Sequence, residues 1–540
     1  MNNSSGLPGM LRAWPDTAGL HLLVLLLAVL FSAGAFLLQG HFGLGLSDEG
    51  YFWYGVQRVL AGEIPLRDFG AYDPGRYYFA AALLGLAGDD GLLALRAVSA
   101  FVQAIGIYAA LMMVMEAARR SGRAVLVALL LCSAAILALW MFEHYKQYDR
   151  TMAILLLLML ARLLQEPNRN RYFAFGFTVG LAAVIGRNHG LYGAIGGLLA
   201  LLYLAFDRRD GKPGFHFSAG PLYWGAGVVV GFLPILLLSL FAPGFFDAFL
   251  ASNRMLLEMG GTNLAIPVPW PWILPTATAS LEDVVKTVVQ GGLFISLLIF
   301  AIAGLAYLGY CRVKGRPQAP GFAAAVFMAP GYAHYAFSRA DVYHLAIGIL
   351  PLLVVALILL ASTDRKWMAG VGLVVLLATS FLVTFRFHPI ERECGRQTNR
   401  YGCTRLIVGH DELTVRLLTA SLVGDLRKMA AATPPDREVL ILPWLTGAYA
   451  VLGKRSPVWD TYAAFPRSET FQRAEIERIR QAKPGMIYLA NSALDGNPAL
   501  TYSNTNPLIF RHIIENYVLV TRLGNSYLFR PPELVGQAVR

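Results

Sequence analysis

Apolar residues run in long blocks near positions 20–40, 91–115, 123–142, 151–165, 172–186, 190–206, 221–241, 285–309, 321–337, 342–362 and 367–385. A helix of about 17 to 25 such residues is long enough to cross the hydrocarbon core of a bilayer. The pattern therefore predicts about eleven transmembrane helices. The first run, His21 to Leu38, has small residues at Ala33, Gly34 and Ala35, but its length favours an uncleaved span over a signal peptide. Arg76–Leu86 is too short to cross and is followed by Asp89 and Asp90, which predicts a helix lying in the interface. Beyond position 386 the pattern changes. Polar helical stretches at Glu412–Ala432 and Ser468–Ala482 alternate with short apolar runs at Val439–Leu442, Met486–Leu489, Tyr517–Val520 and Ser526–Phe529, as in a small α/β domain. The expected organisation is a membrane domain over 1–385, with outer loops at 41–90 and 242–283, and an extracytoplasmic α/β domain over 386–540.

Composition narrows the class further. Of 540 residues, 56% are hydrophobic and 15% charged, which excludes an ordinary soluble domain. The net charge of +11 does not call for nucleic acid, because the basic residues sit in short clusters between apolar runs. Arg119/Arg120/Arg123, Arg169/Arg171, Arg208/Arg209/Lys212, Arg312/Lys314/Arg316 and Arg365/Lys366 hold alternate loops in the cytoplasm by the positive-inside rule. The remaining loops then face outward, with mixed charges and many aromatics. Arg386, Arg392, Arg396 and Arg400 fall on the outer side, leading into a long domain where that rule weakens.

Charged residues at the outer edge of the spans are costly and so mark candidate chemistry. Asp48 and Glu49 follow the first span directly, within Leu46–Tyr54, and Asp68, Asp73, Arg58, Arg67 and Arg76 crowd the same loop. One carboxylate of the pair could take a proton or bind a divalent cation while the other tunes or orients it. The alternative is that Asp48 caps a helix beginning near Tyr51 and Glu49 occupies its first turn. In Phe142–Arg150, Asp149 either pairs with Arg150 or joins His144 and Asp73 in an acceptor or cation site. Arg187 stands in a tight outer turn, where it is either a hydrophilic stop between two spans or a phosphate ligand at that depth. In Ser338–His344, Arg339 and Asp341 either form a structural pair or, with His344, bind phosphate or acceptor. Cys394 and Cys403, nine apart, are spaced to pair in an oxidising compartment, whereas Cys132 and Cys311 read as packing residues. No zinc-site spacing, nucleotide loop or convincing nucleophile motif is present.

A first span followed by Asp48–Glu49, an amphipathic stretch, the turn Tyr72–Arg76 and an interfacial helix, with many later spans and a C-terminal domain, resembles the GT-C superfamily of membrane glycosyltransferases. The style is that of the protein O-mannosyltransferases and the lipid A aminoarabinose transferase. The resemblance implies a sugar donor linked to polyprenyl phosphate and an acceptor that is a glycan, lipid or protein. It places the chemistry at the outer face of a bacterial cytoplasmic membrane, among membrane lipids. It also implies Asp48 as catalytic base beside Glu49, and Arg339, with Arg76 and Arg187, as ligands of the donor phosphate. The rival class is a transporter or lipid flippase, which calls for inverted repeats and charges near mid-membrane.

Overall fold

The computed structural model describes residues 17–118, 121–205, 219–258, 263–274, 279–395 and 402–535. The basic clusters at Arg119/Arg120 and Arg208–Lys212, and Arg396 and Arg400, lie outside the described residues.

Each expected span is helical. In chain order the first eight helices are α1 (Thr17–Gln39), α2 (Asp48–Leu60), α3 (Pro74–Ala87), α4 (Leu92–Ala117), α5 (Arg123–Trp140), α6 (Gln147–Gln165), α7 (Arg169–Ile185) and α8 (Arg187–Ala205). Six helices among the described residues are long and apolar enough to cross a membrane on their own, and two bent pairs bring the count to as many as eight. The pairs are Gly220–Gly231 with Leu233–Phe241, bent by 51°, and Val342–Gly348 with Leu350–Ser362, bent by 52°. In each, Pro234 or Pro351 stands at the second position of the following helix, where the missing N–H and fixed φ break the ladder. The expected eleven thus exceeds what length and apolarity support. Three expected spans fall outside that count: α6 carries Asp149, Arg150 and Arg162, α7 has only 17 residues, and Pro320–Ser338 contains Pro330, His334 and two tyrosines.

α2 and α3 fill the outer loop. Pro74 opens α3 at a position where its absent N–H costs nothing, and Gly88 closes it with φ 66°. α2 buries Tyr51, Phe52, Trp53, Tyr54 and Val56, so it is enclosed by protein and not laid on lipid.

After Phe387 come β1 (Cys403–Val408), β2 (Asp411–Arg416), β3 (Val439–Leu442), β4 (Met486–Ala490), β5 (Val518–Leu523) and β6 (Ser526–Arg530). The last four form one sheet in the order β3-β4-β6-β5, parallel between β3 and β4 and antiparallel elsewhere. The hairpin β1–β2 replaces the start of the helix expected from Glu412. Leu413 and Val415 are buried while Glu412 is exposed and Thr414 half-buried, an alternation of period two, and Gly409 supplies φ 62° in the two-residue turn. The helix begins only at Leu417.

This region packs directly on α2. Gly50 and Gly447 face each other so closely that a Cβ on Gly50 would meet Gly447 Cα at 2.5 Å, and Gly447 N–H donates to the Leu46 carbonyl at 2.8 Å. Ser456 N–H donates to Tyr54 Oη at 2.9 Å and Trp459 Nε1 to the Leu66 carbonyl at 3.0 Å. The disulfide Cys394–Cys403, with Cα atoms 5.5 Å apart, ties the segment after the last span to β1.

Candidate active site

A cavity of about 600 Å³ opens between one end of the helices and the C-terminal region. Asp48, Glu49, Asp73, Arg76, His144, Asp149, Arg187, Arg339, Asp341 and His344 all line it, whereas Arg58, Arg67 and Asp68 of the loop after the first span do not. What the sequence does not disclose is how they are paired.

Glu49 is buried and locked. The Arg96 guanidinium, from the second turn of α4, grips both its oxygens at 2.7 Å. The remaining Arg96 donors go to the carbonyls of Gly40, Phe42 and Gly43. Burial works against the charged carboxyl, but the charge and hydrogen bonds of Arg96 hold it down at about 2. Arg96 lies inside an expected span and carries a charge that the apolar run could not otherwise tolerate; that was the signal for it. Arg76 donates to both oxygens of Asp149, at 3.3 and 3.0 Å, and to the Ile185 carbonyl. Asp149 also meets His189 Nε2 at 3.0 Å, and His189 Nδ1 lies 3.0 Å from Tyr332 Oη. So Asp149 pairs with Arg76 and not with its neighbour Arg150, which turns to Glu143 at 3.4 Å. Burial raises the Glu143 carboxyl to about 7 although Arg150 opposes the shift.

Arg187 clasps Asp73 through both its backbone and its side chain, and reaches Asn253 at 3.0 Å. Arg339 is held by Asp341 at 2.8 Å and by both oxygens of Asp495 at 2.7 Å. Asp495 sits at φ 55°, an uncommon conformation for a residue with a side chain. His344 Nδ1 contacts Asp341 at 2.8 Å, and Asp341 also caps the helix starting at Val342. His144 stays neutral: burial, with the charge of Arg96 adding, lowers its imidazole to about 3, and its Nε2 has no hydrogen-bond partner. Among the described residues no three His, Cys, Asp or Glu side chains converge to hold a metal ion.

Two charged side chains on the wall stand apart from this pairing. Asp48 accepts hydrogen bonds at Oδ1 from Tyr72 Oη (3.3 Å) and Tyr462 Oη (3.0 Å), and no described basic group lies within ion-pair distance of it. Burial, reinforced by the Asp48 charge, raises both phenols well above their ordinary value, so they remain donors. The second is Lys146, in the outer connection between α5 and α6, with no described carboxylate within ion-pair distance. Burial opposes its charge, but Tyr335, Asp149, Glu143 and Asp48 together raise the ammonium above its usual value. Lys146 lies in the stretch Glu143–Arg150, yet the sequence offers no mark that separates it from the paired cations around it.

No family model matches the sequence, and no curated protein sequence does. Similar solved structures include ArnT from Cupriavidus metallidurans bound to undecaprenyl phosphate, with 14% identity and a TM-score of 0.46 over 95% of this chain and 98% of that one. The Archaeoglobus fulgidus oligosaccharyltransferase tethered with an acceptor peptide gives 13% identity and a TM-score of 0.48 over 93% and 72%. The archaeal oligosaccharyltransferase AglB from the same organism, with an inhibitory peptide and a dolichol-phosphate, gives 13% and 0.43 over 87% and 69%.

Proposed function

We propose that this chain is a membrane glycosyltransferase that moves a sugar from a polyprenyl-phosphate donor to an acceptor at the outer face of the cytoplasmic membrane. The observation that carries the reading is the pairing pattern of the cavity: among the described residues one carboxylate, Asp48, and one ammonium, Lys146, have no ion-pair partner, while the other charged wall residues have one. Such a pair of opposite free charges suits a displacement in which one group accepts a proton and another receives a negative leaving group. An acceptor O–H or N–H gives its proton to Asp48 as the heteroatom bonds to the anomeric carbon. The bond from that carbon to the phosphate oxygen breaks, its electron pair leaves with phosphate, and Lys146 balances the new charge. Direct displacement inverts the anomeric centre. Glu49 acts as a positioning residue, fixing the first turn of α2 through Arg96. Arg339 becomes a second phosphate ligand when the leaving phosphate takes the place of Asp495, and Arg76 and Arg187 shape the wall through Asp149 and Asp73.

The transporter reading draws on the two bent span pairs, which resemble the broken helices of transporters. Their breaks coincide with Pro234 and Pro351 and present no charged group, so a glycosyl transfer site accounts for more of the molecule.

The test is turnover of a panel of radiolabelled polyprenyl-phosphate sugars by the purified chain in lipid nanodiscs. Asp48→Asn is expected to lower transfer by about 10²- to 10⁴-fold with donor binding kept. Undiminished transfer by Asp48→Asn, or no donor consumed by the native chain, overturns the proposal.

A further inference from the structure

A second cavity, of about 770 Å³, lies on the far side of the site, between the outer helix Phe245–Glu258 and the C-terminal helix Glu469–Ala482. It shares seven lining residues with the first cavity, Trp459, Phe465 and Arg467 among them, so the two meet at a common wall. Its chemistry differs from that of the first. Four arginines line it, Arg67, Arg254, Arg467 and Arg478, against one carboxylate, Glu258. Arg67, Arg467 and Arg478 are ion-paired with Asp68, Asp460 and Glu475. Arg254 is exposed and has no ion-pair partner among the described residues. Between the arginines stand Trp459, Phe465 and Phe471, with the Trp459 and Phe471 rings edge to face at 5.9 Å and the Arg467 guanidinium 4.9 Å over Phe471.

Flat aromatic faces take the C–H faces of sugar rings, and guanidinium forks take carboxylate or phosphate. We propose that this vestibule binds the saccharide part of an anionic acceptor, a sugar carrying carboxylate or phosphate, and feeds it to Asp48 past Trp459 and Arg467. The proposal rests on the transferase reading only for the word acceptor, since binding of an anionic sugar is measurable without turnover.

The probes are trigalacturonate and glucose 6-phosphate, for the two kinds of anion, and neutral maltotriose, titrated by calorimetry against the full chain in nanodiscs. Both anionic probes should bind at least about tenfold more tightly than maltotriose, and the preference should shrink as salt rises. Arg254→Glu, which breaks no ion pair, should weaken the anionic probes about tenfold and leave maltotriose unchanged; Phe465→Ala should weaken all three. Equal affinity for anionic and neutral probes, or anionic binding untouched by Arg254→Glu in a chain with native melting temperature, overturns the proposal. A chain that binds anionic sugars but consumes no donor upholds the vestibule and removes the transferase reading.

Discussion

The two walls of the central cavity are built on different terms. On the membrane side, Glu49–Arg96 and Arg76–Asp149 are ion pairs with side chains at most 8% exposed, each carrying further hydrogen bonds to carbonyls. On the C-terminal side the contacts reach across between elements far apart in the chain. Arg339 and Asp495 are each 23% exposed, and Tyr462 lends one hydroxyl to Asp48. Buried pairs with every donor satisfied hold a frame rigid and are costly to break singly, whereas half-exposed pairs are worth little and exchange readily. The membrane side therefore reads as fixed scaffold and the C-terminal side as a roof able to rearrange around a substrate.

The sharpest way to break that contrast is to remove one partner from the frame. Arg96→Met leaves Glu49 buried and unpaired and should cost about 3–5 kcal/mol, read as a lowered melting temperature of the chain in nanodiscs; a cost below about 1 kcal/mol would make the frame as loose as the roof. Acid should reach the same pair. The Glu49 carboxyl is lower in the folded chain than its ordinary 4.5, so the stabilisation is whole above that value and is lost as pH falls from 4.5 towards about 2. The loss is about 3 kcal/mol from this one group. Unfolding followed against pH should show that slope in the native chain and not in Arg96→Met. On the roof, Tyr462→Phe should cost only about 1 kcal/mol of stability but slow transfer about tenfold, since it strips one of two donors from Asp48. Smallest of all, Asp495→Asn should shift stability by less than about 1 kcal/mol and, by releasing Arg339, raise affinity for polyprenyl phosphate by about two- to fivefold; unchanged or weaker binding would mean that Asp495 does not compete with phosphate.

The sequence disclosed the location of the site better than its wiring. Asp48, Asp149, Arg187 and Arg339 could be named because a charge at the end of an apolar run has few harmless uses. Their partners could not, because they come from remote parts of the chain: Arg96 lies 47 residues from Glu49, Arg339 156 from Asp495, and Tyr462 414 from Asp48. Asp149 next to Arg150 suggested an adjacent pair, but both residues sit in the first turn of α6, where neighbours in sequence point apart. The hairpin β1–β2 was hidden because its alternation is short and precedes a true helix. Lys146 was hidden because only the absence of a partner distinguishes it.

That absence is the centre of the account, and the most direct test of it is the affinity of polyprenyl phosphate for the native chain, Lys146→Met and Arg339→Ala in nanodiscs. The predicted result is a loss of about tenfold to a hundredfold for Lys146→Met and a loss of no more than about threefold for Arg339→Ala, whose guanidinium is already held by two carboxylates. Undisturbed binding by Lys146→Met would contradict the claim that the unpaired ammonium is the phosphate anchor.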